Sequence, residues 1–263
     1  MRTPISSIRK RYPTVEFAFK SSTLQAEREP LCKRVLSRFQ QLPVYKLLCY
    51  IDDEIPSYLP ALDYLPATSR AFSGLHVPIR GGGNWPHHVQ EWFYTSEHEF
   101  AFDNLIYIPG TKHATDPVTF VMILAHEFQH FVQYGESETA WKVHDILFRN
   151  VGRFDPSAMV WDIPDERDAM IVSKGVTEDE FGTQAVQQLM EREIDDANTN
   201  RNISKKEVWT FLSGLSSAVV YNWREETSRL VEKYRPHLEA SLSSEEMDLL
   251  NTWVQLECNS PSG

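Results

Sequence analysis

A chain of 263 residues, 41% hydrophobic and 24% charged, has the make-up of one large folded domain or two small ones, with ample length to bury a core. No run approaches the 18 apolar residues of a transmembrane helix. Three widely spaced cysteines without a C-x-x-C pair argue against a disulfide framework or a cysteine-based metal site.

The net charge of −11 is uneven, because residues 1–50 carry ten Lys/Arg against three Asp/Glu, a balance of +7 that leaves −18 for the rest. The N-terminal MRTPISSIRKRYPTVEF is positive but has no apolar stretch behind it, so it is not read as a secretory signal. Cytoplasmic residence, or export without a cleaved signal, is the expectation. A basic start on an acidic body can dock on nucleic acid, on an acidic partner or on the chain's own acidic surface. A solvated helix face is favoured over nucleic-acid binding, since no aromatic residues interleave the charges and no reading head is recognisable. Leu31, Val35, Phe39 and Leu42 recur at helical spacing behind Pro30, which puts Arg34 and Arg38 on other faces of an amphipathic helix.

Prolines at 56, 60 and 66 cut the apolar stretch 44–66 into short pieces. Then Arg80-Gly-Gly-Gly-Asn-Trp-Pro86 gives the strongest loop signal. It lacks the lysine and following helix of a phosphate cradle, so it reads as a hinge or rim loop. It divides the chain into a basic, mainly helical N-terminal subdomain, 1–80, and a second unit, 81–263. The adjacent His87 and His88 are poor metal candidates, because neighbouring side chains rarely converge on one ion. His98 to Pro109, HEFAFDNLIYIP, alternates and is interrupted at Asp103-Asn104, which predicts a β-hairpin turning there. An edge strand at that place could hold an extended peptide by main-chain pairing.

The stretch Thr115 to Gly135, TDPVTFVMILAHEFQHFVQYG, carries the chemistry. Asp116 suits an N-cap, Pro117 the first helical position and Gly135 a left-handed helix end. The apolar run Phe120 to Ala125 predicts a helix buried on most sides. Within it stands His126-Glu127-Phe128-Gln129-His130, an H-E-x-x-H pattern. Residues four apart share a helix face, so both imidazoles can point at one metal ion. Glu127, one step round, can take a proton from water on that metal. Zn²⁺ held by His126 and His130 with Glu127 as general base is the arrangement for metal-assisted hydrolysis.

A catalytic zinc takes three protein ligands. The favoured third is Glu166, in the first turn of a helix that Asp162 caps and Pro164 starts, facing the same way as Ala169 and Met170. Glu136, six residues past His130, ranks second, since the glycine a sharp turn needs is replaced by Gln133. His144, on a helix expected over 138–149, ranks third.

HEFQH followed by a Glu-bearing helix resembles the zincin metallopeptidases, in particular the gluzincin type. That resemblance, over residues 100–175, implies zinc bound by His126, His130 and Glu166, with Glu127 as general base. The acid that larger gluzincins often carry four residues after the ligand Glu is Met170 here. Glu166-x-Asp168-Ala169 is instead similar to the E-x-E-A stretch of the ImmA/IrrE family.

Beyond this region the chain reads as helical. Thr177/Glu180, Ser204/Glu207 and Ser243/Glu246 have capping-box spacing, and Leu189, Met190, Trp209, Leu212, Val220, Trp223, Leu230, Val231, Tyr234, Leu250, Trp253 and Val254 are expected to supply buried faces. The expected fold is α+β and zincin-like, a small β-sheet beside the active-site helix with a mostly helical C-terminal half. The expected activity is zinc-dependent hydrolysis of peptide bonds in a protein or peptide substrate. Tyr134, His144 or Tyr221 would donate to the oxyanion. The competing reading keeps the fold but makes it a catalytically idle regulatory or binding protein; an intact Glu127 argues against that.

Overall fold

The computed structural model describes residues 8–12, 14–39, 42–51, 75–78, 102–108, 116–135 and 138–259. They form an α+β fold in which a five-stranded sheet is followed by a long helical block. The strands are β1 (Ile8–Arg11), β2 (Val15–Phe19), β3 (Leu47–Ile51), β4 (Leu75–Pro78) and β5 (Asn104–Ile108), in the order β1-β2-β3-β5-β4. The central three run parallel and the two edges antiparallel. Every residue of β2, β3 and β5 is buried. Parallel strands covered on both faces need no polar alternation, and VEFAF, LLCYI and NLIYI show how little of it survives.

On one face of the sheet lie α1 (Ser22–Arg38) and α2 (Pro117–Gly135). Phe17, Phe19, Cys49, Ile51, Ile106 and Ile108 meet Leu31, Val35, Phe120, Leu124, Phe128 and Phe131 there. The helical block continues through α3 (Glu138–Phe154), α4 (Pro164–Phe181), α5 (Thr183–Thr199), α6 (Ile203–Gly214), α7 (Trp223–Ser241) and α8 (Ser244–Asn259). A single 3-10 turn, Val160–Asp162, precedes α4. The helices α2 and α4 pack against one another more extensively than any other two elements. Among the described residues no helix is long and apolar enough to cross a membrane.

Several expectations meet a different arrangement. The 1–80 stretch, expected to be mainly helical, contributes four strands and one helix among its described residues, and its β3 pairs with β5, so the sheet crosses the 80/81 boundary. The 80–86 loop and His87–His88 lie outside the described residues. Asn104 is not in a hairpin turn but opens β5, whose two neighbours are β3 and β4; residues 98–101 of the expected hairpin lie outside the described residues. The Asp103 carboxylate instead accepts from the Lys46 N–H, 2.9 Å away, at the mouth of β3. Pro30 lies inside α1, which begins at Ser22 under a Ser21 cap.

Gly135 ends α2 without the left-handed conformation expected of it; positive φ among the described glycines belongs to Gly182, between α4 and α5. What Gly135 provides is room, because a Cβ there would stand 2.1 Å from Cγ of Pro43. Of the three capping boxes, Ser243/Glu246 forms, with bonds of 3.3 and 3.0 Å in the two directions. Asn202 caps α6 in place of Ser204, and Thr177 is buried inside α4, donating to the Ser173 carbonyl. Val220 is exposed rather than packed. The basic face of α1 meets the chain's own acidic surface: Arg34 pairs with Glu180 and Arg38 with Asp179 at the end of α4.

Candidate metal centre

The N-terminus of α2 forms as its sequence dictates. The Asp116 carboxylate accepts from the Val118 N–H at 2.8 Å, and Pro117 needs no partner for a missing N–H. The apolar face that follows anchors α2 against the sheet, and the opposite face carries the motif toward α4. His126, Glu127 and His130 are all buried. Successive turns bring the Nε2 atoms of His126 and His130 within 3.1 Å of each other.

Glu166 comes from the first turn of α4. Pro164 starts that helix as expected, with Ile163 at the cap, while Asp162 closes its own 3-10 turn by accepting from the Met159 N–H. The Glu166 carboxylate oxygens lie 3.4 Å from His126 Nε2 and 3.6 Å from His130 Nε2. These three residues could hold a metal ion. Tetrahedral bonds of about 2 Å put ligand atoms about 3.3 Å apart, close to the imidazole separation and to the reach of one carboxylate oxygen to each ring, Oε2 to His126 and Oε1 to His130. The donor set, two imidazoles and a carboxylate, suits zinc and leaves a fourth position open. Glu127 is not among the converging donors, which is what a general base beside a metal requires.

Of the other two ligand candidates, one is described and does not join. Glu136 lies outside the described residues. His144 is half-buried on α3, but its Nδ1 meets the Asp165 carboxylate at 2.5 Å, and its ring packs among Trp141, Tyr134 and Phe148. The oxyanion candidates fare similarly. The Tyr134 hydroxyl donates to Asp165 at 2.5 Å, so Tyr134 and His144 both serve the same carboxylate. Tyr221 lines a separate cavity of about 280 Å³, together with Pro164, Arg167, Arg229, Lys233 and others. Its hydroxyl is pushed up to about 12 by burial, so it stays a donor at neutral pH.

Behind the cluster is a shell that sequence reading missed. Gln133 is 1% exposed, and its Oε1 lies 2.8 Å from His130 Nδ1. Its Nε2 donates to the Asp165 carbonyl at 3.0 Å and to Asp168 Oδ2 at 2.7 Å. Gln129 also donates to Asp168, at 2.7 Å. In the sequence Gln133 was only a missing glycine; the signal available was its place one turn beyond His130 on the same face. Met170, where larger gluzincins have an acid, is buried in an apolar cluster with Met122 and Met190.

The electrostatics follow from burial. Desolvation raises Glu127, against the lowering pull of His126 and His130, and its carboxylate takes a hydrogen bond from the His76 main chain. Glu166 is held well below the usual carboxylate range: burial works against ionisation, but the two imidazoles outweigh it. Burial alone would lower His130, yet Glu166 foremost, then Glu127 and Asp165, lift it to about 10. Asp168 is raised by burial despite its two amide donors. Four acidic side chains thus lie among three imidazoles, and their side-chain partners are imidazoles, amides and a phenol rather than fixed positive charges. A divalent cation among them would supply that charge.

No family model, curated protein or solved structure matches the chain.

Proposed function

We propose that this protein is a zinc-dependent metallopeptidase with a zincin-like fold, hydrolysing peptide bonds of a protein substrate. The observation that carries the reading is the convergence of His126, His130 and Glu166 from two packed helices, with Glu127 buried beside them on the same turn. His126, His130 and Glu166 would hold the zinc, which when bound supplies a Lewis acid and a water of lowered pKa.

The chain's own contribution is the handling of the proton. Burial raises the Glu127 carboxyl toward neutral pH, where a general base is most effective, and the same residue can return the proton to the leaving amine. A glutamate buried at such depth is costly for a merely structural helix, which disfavours an idle scaffold. Among the described residues β4, not β5, stands at that edge of the sheet, and it lies against α2 with the His76 main chain hydrogen-bonded to Glu127. An extended substrate pairing with a strand would do so there.

The test compares cleaved termini across a proteome treated with wild type or with Glu127→Gln. The reading expects termini produced by wild type alone, with both proteins holding zinc. Identical termini from the two would overturn it.

A further inference from the structure

The reading of His126, His130 and Glu166 as zinc ligands leaves one question of ring chemistry open: an imidazole can present either nitrogen, and something must choose. Resting on that reading, we infer that Gln133 is a positioning residue that locks His130 with Nδ1 protonated and Nε2 facing the metal.

The lock follows from the orientation of one amide. Gln133 is buried, so water cannot substitute for its partners. Its nitrogen faces two oxygens, the Asp165 carbonyl at 3.0 Å and the Asp168 carboxylate at 2.7 Å. Flipping the amide would set its oxygen against both of these acceptors, so the flip is forbidden. The carbonyl oxygen is therefore fixed toward His130 Nδ1, 2.8 Å away. An acceptor there demands a donor, so Nδ1 carries its hydrogen and Nε2 is the nitrogen left to bind a metal. That is the nitrogen 3.1 Å from His126 Nε2 and 3.6 Å from Glu166.

The two oxygens that hold the amide belong to Asp165 and Asp168, on either side of Glu166 in the opening turns of α4. One stretch of helix thus supplies a ligand and, through Gln133, dictates the tautomer of another. Docking α4 on α2 completes both together. Partners of metal-bound histidines commonly set affinity by holding the ring in this way.

The test uses the full chain and zinc affinity measured by competition with a chromophoric chelator. Gln133→Leu removes the acceptor and both donors, and should weaken zinc binding by about 10–100-fold. Gln129→Leu removes another donor to Asp168 without touching His130, and should stay within about threefold of wild type. Equal loss in both variants, or no loss in Gln133→Leu, overturns the inference. Long-range ¹⁵N–¹H spectra of the zinc-loaded wild type give a readout independent of any variant's folding. They should show His130 ligated through Nε2 with a protonated Nδ1, and ligation through Nδ1 overturns the proposal. A wild type that takes up no zinc would instead sink the metal reading itself, and this inference with it.

Discussion

The Nε2 atoms of His126 and His130 stand 3.1 Å apart on successive turns of α2, and Glu166 reaches both from a helix whose sequence begins 34 residues after the second of them. Local helix geometry sets the first distance. Tertiary packing sets the others, so the third ligand is the part of the centre most exposed to experiment. Glu166→Gln should weaken zinc binding by more than the roughly 10–100-fold typical of an outer partner, whereas Glu136→Gln and His144→Phe should leave zinc stoichiometry at the wild-type level. Metal analysis of the three purified variants checks this. Loss of zinc from Glu136→Gln alone would move the ligand to the second-ranked site.

Tyr134 separates structural from catalytic duty. Its hydroxyl is committed to Asp165, which also receives His144. Removing it in Tyr134→Phe leaves a buried carboxylate with one partner fewer and should cost about 1–3 kcal/mol of stability. Peptide hydrolysis at saturating zinc should change by less than about tenfold, because a group donating to an oxyanion is worth about 10²–10³-fold. Urea denaturation and a steady-state assay give the two numbers.

His76 makes stability depend on pH. Its ring is stacked against Tyr134, and burial, joined by the charge of His130, holds it down to about 3. The folded-state value lies below the unfolded one, so the unfolded chain binds the extra proton. Stability from this group is intact above about pH 6.5 and falls as pH drops toward 3. Between pH 7 and 5 the loss should be about 2 kcal/mol. His76→Phe keeps an aromatic ring on Tyr134 but cannot titrate. Urea midpoints at the two pH values should therefore fall less steeply in the variant, and equal slopes would contradict the assignment.

Gly135 is constrained by contact rather than by φ. Pro43 occupies the space that a Cβ would fill, so Gly135→Ala should cost about 1–3 kcal/mol through overpacking. Pairing it with Pro43→Ala should recover part of the loss, as a double-mutant cycle in urea would show.

What the sequence disclosed divides along physical lines. The α2 helix was legible because Asp116, Pro117 and the apolar run Phe120 to Ala125 are local signals that agree. Glu166 was within reach because Pro164 marks where α4 must start. Strands β2 and β3 were not, since buried parallel strands lose the alternation that exposes a strand to inspection. The β5 strand was recognised from its β-formers but given the wrong partner: residue preference identifies a strand and says nothing about its neighbour. Gln133, Asp165 and Asp168 escaped notice because an amide relay has no spacing rule. It exists only once α2 and α4 have met, and a side chain read as a replaced glycine turned out to face the key imidazole.

The most direct measurement is the zinc content of the purified, full-length protein by mass spectrometry of the metal, after dialysis against metal-free buffer. The account predicts about one zinc per chain, the one site that three such ligands define. A preparation that is folded, and that takes up no zinc even when the metal is added back, would contradict it.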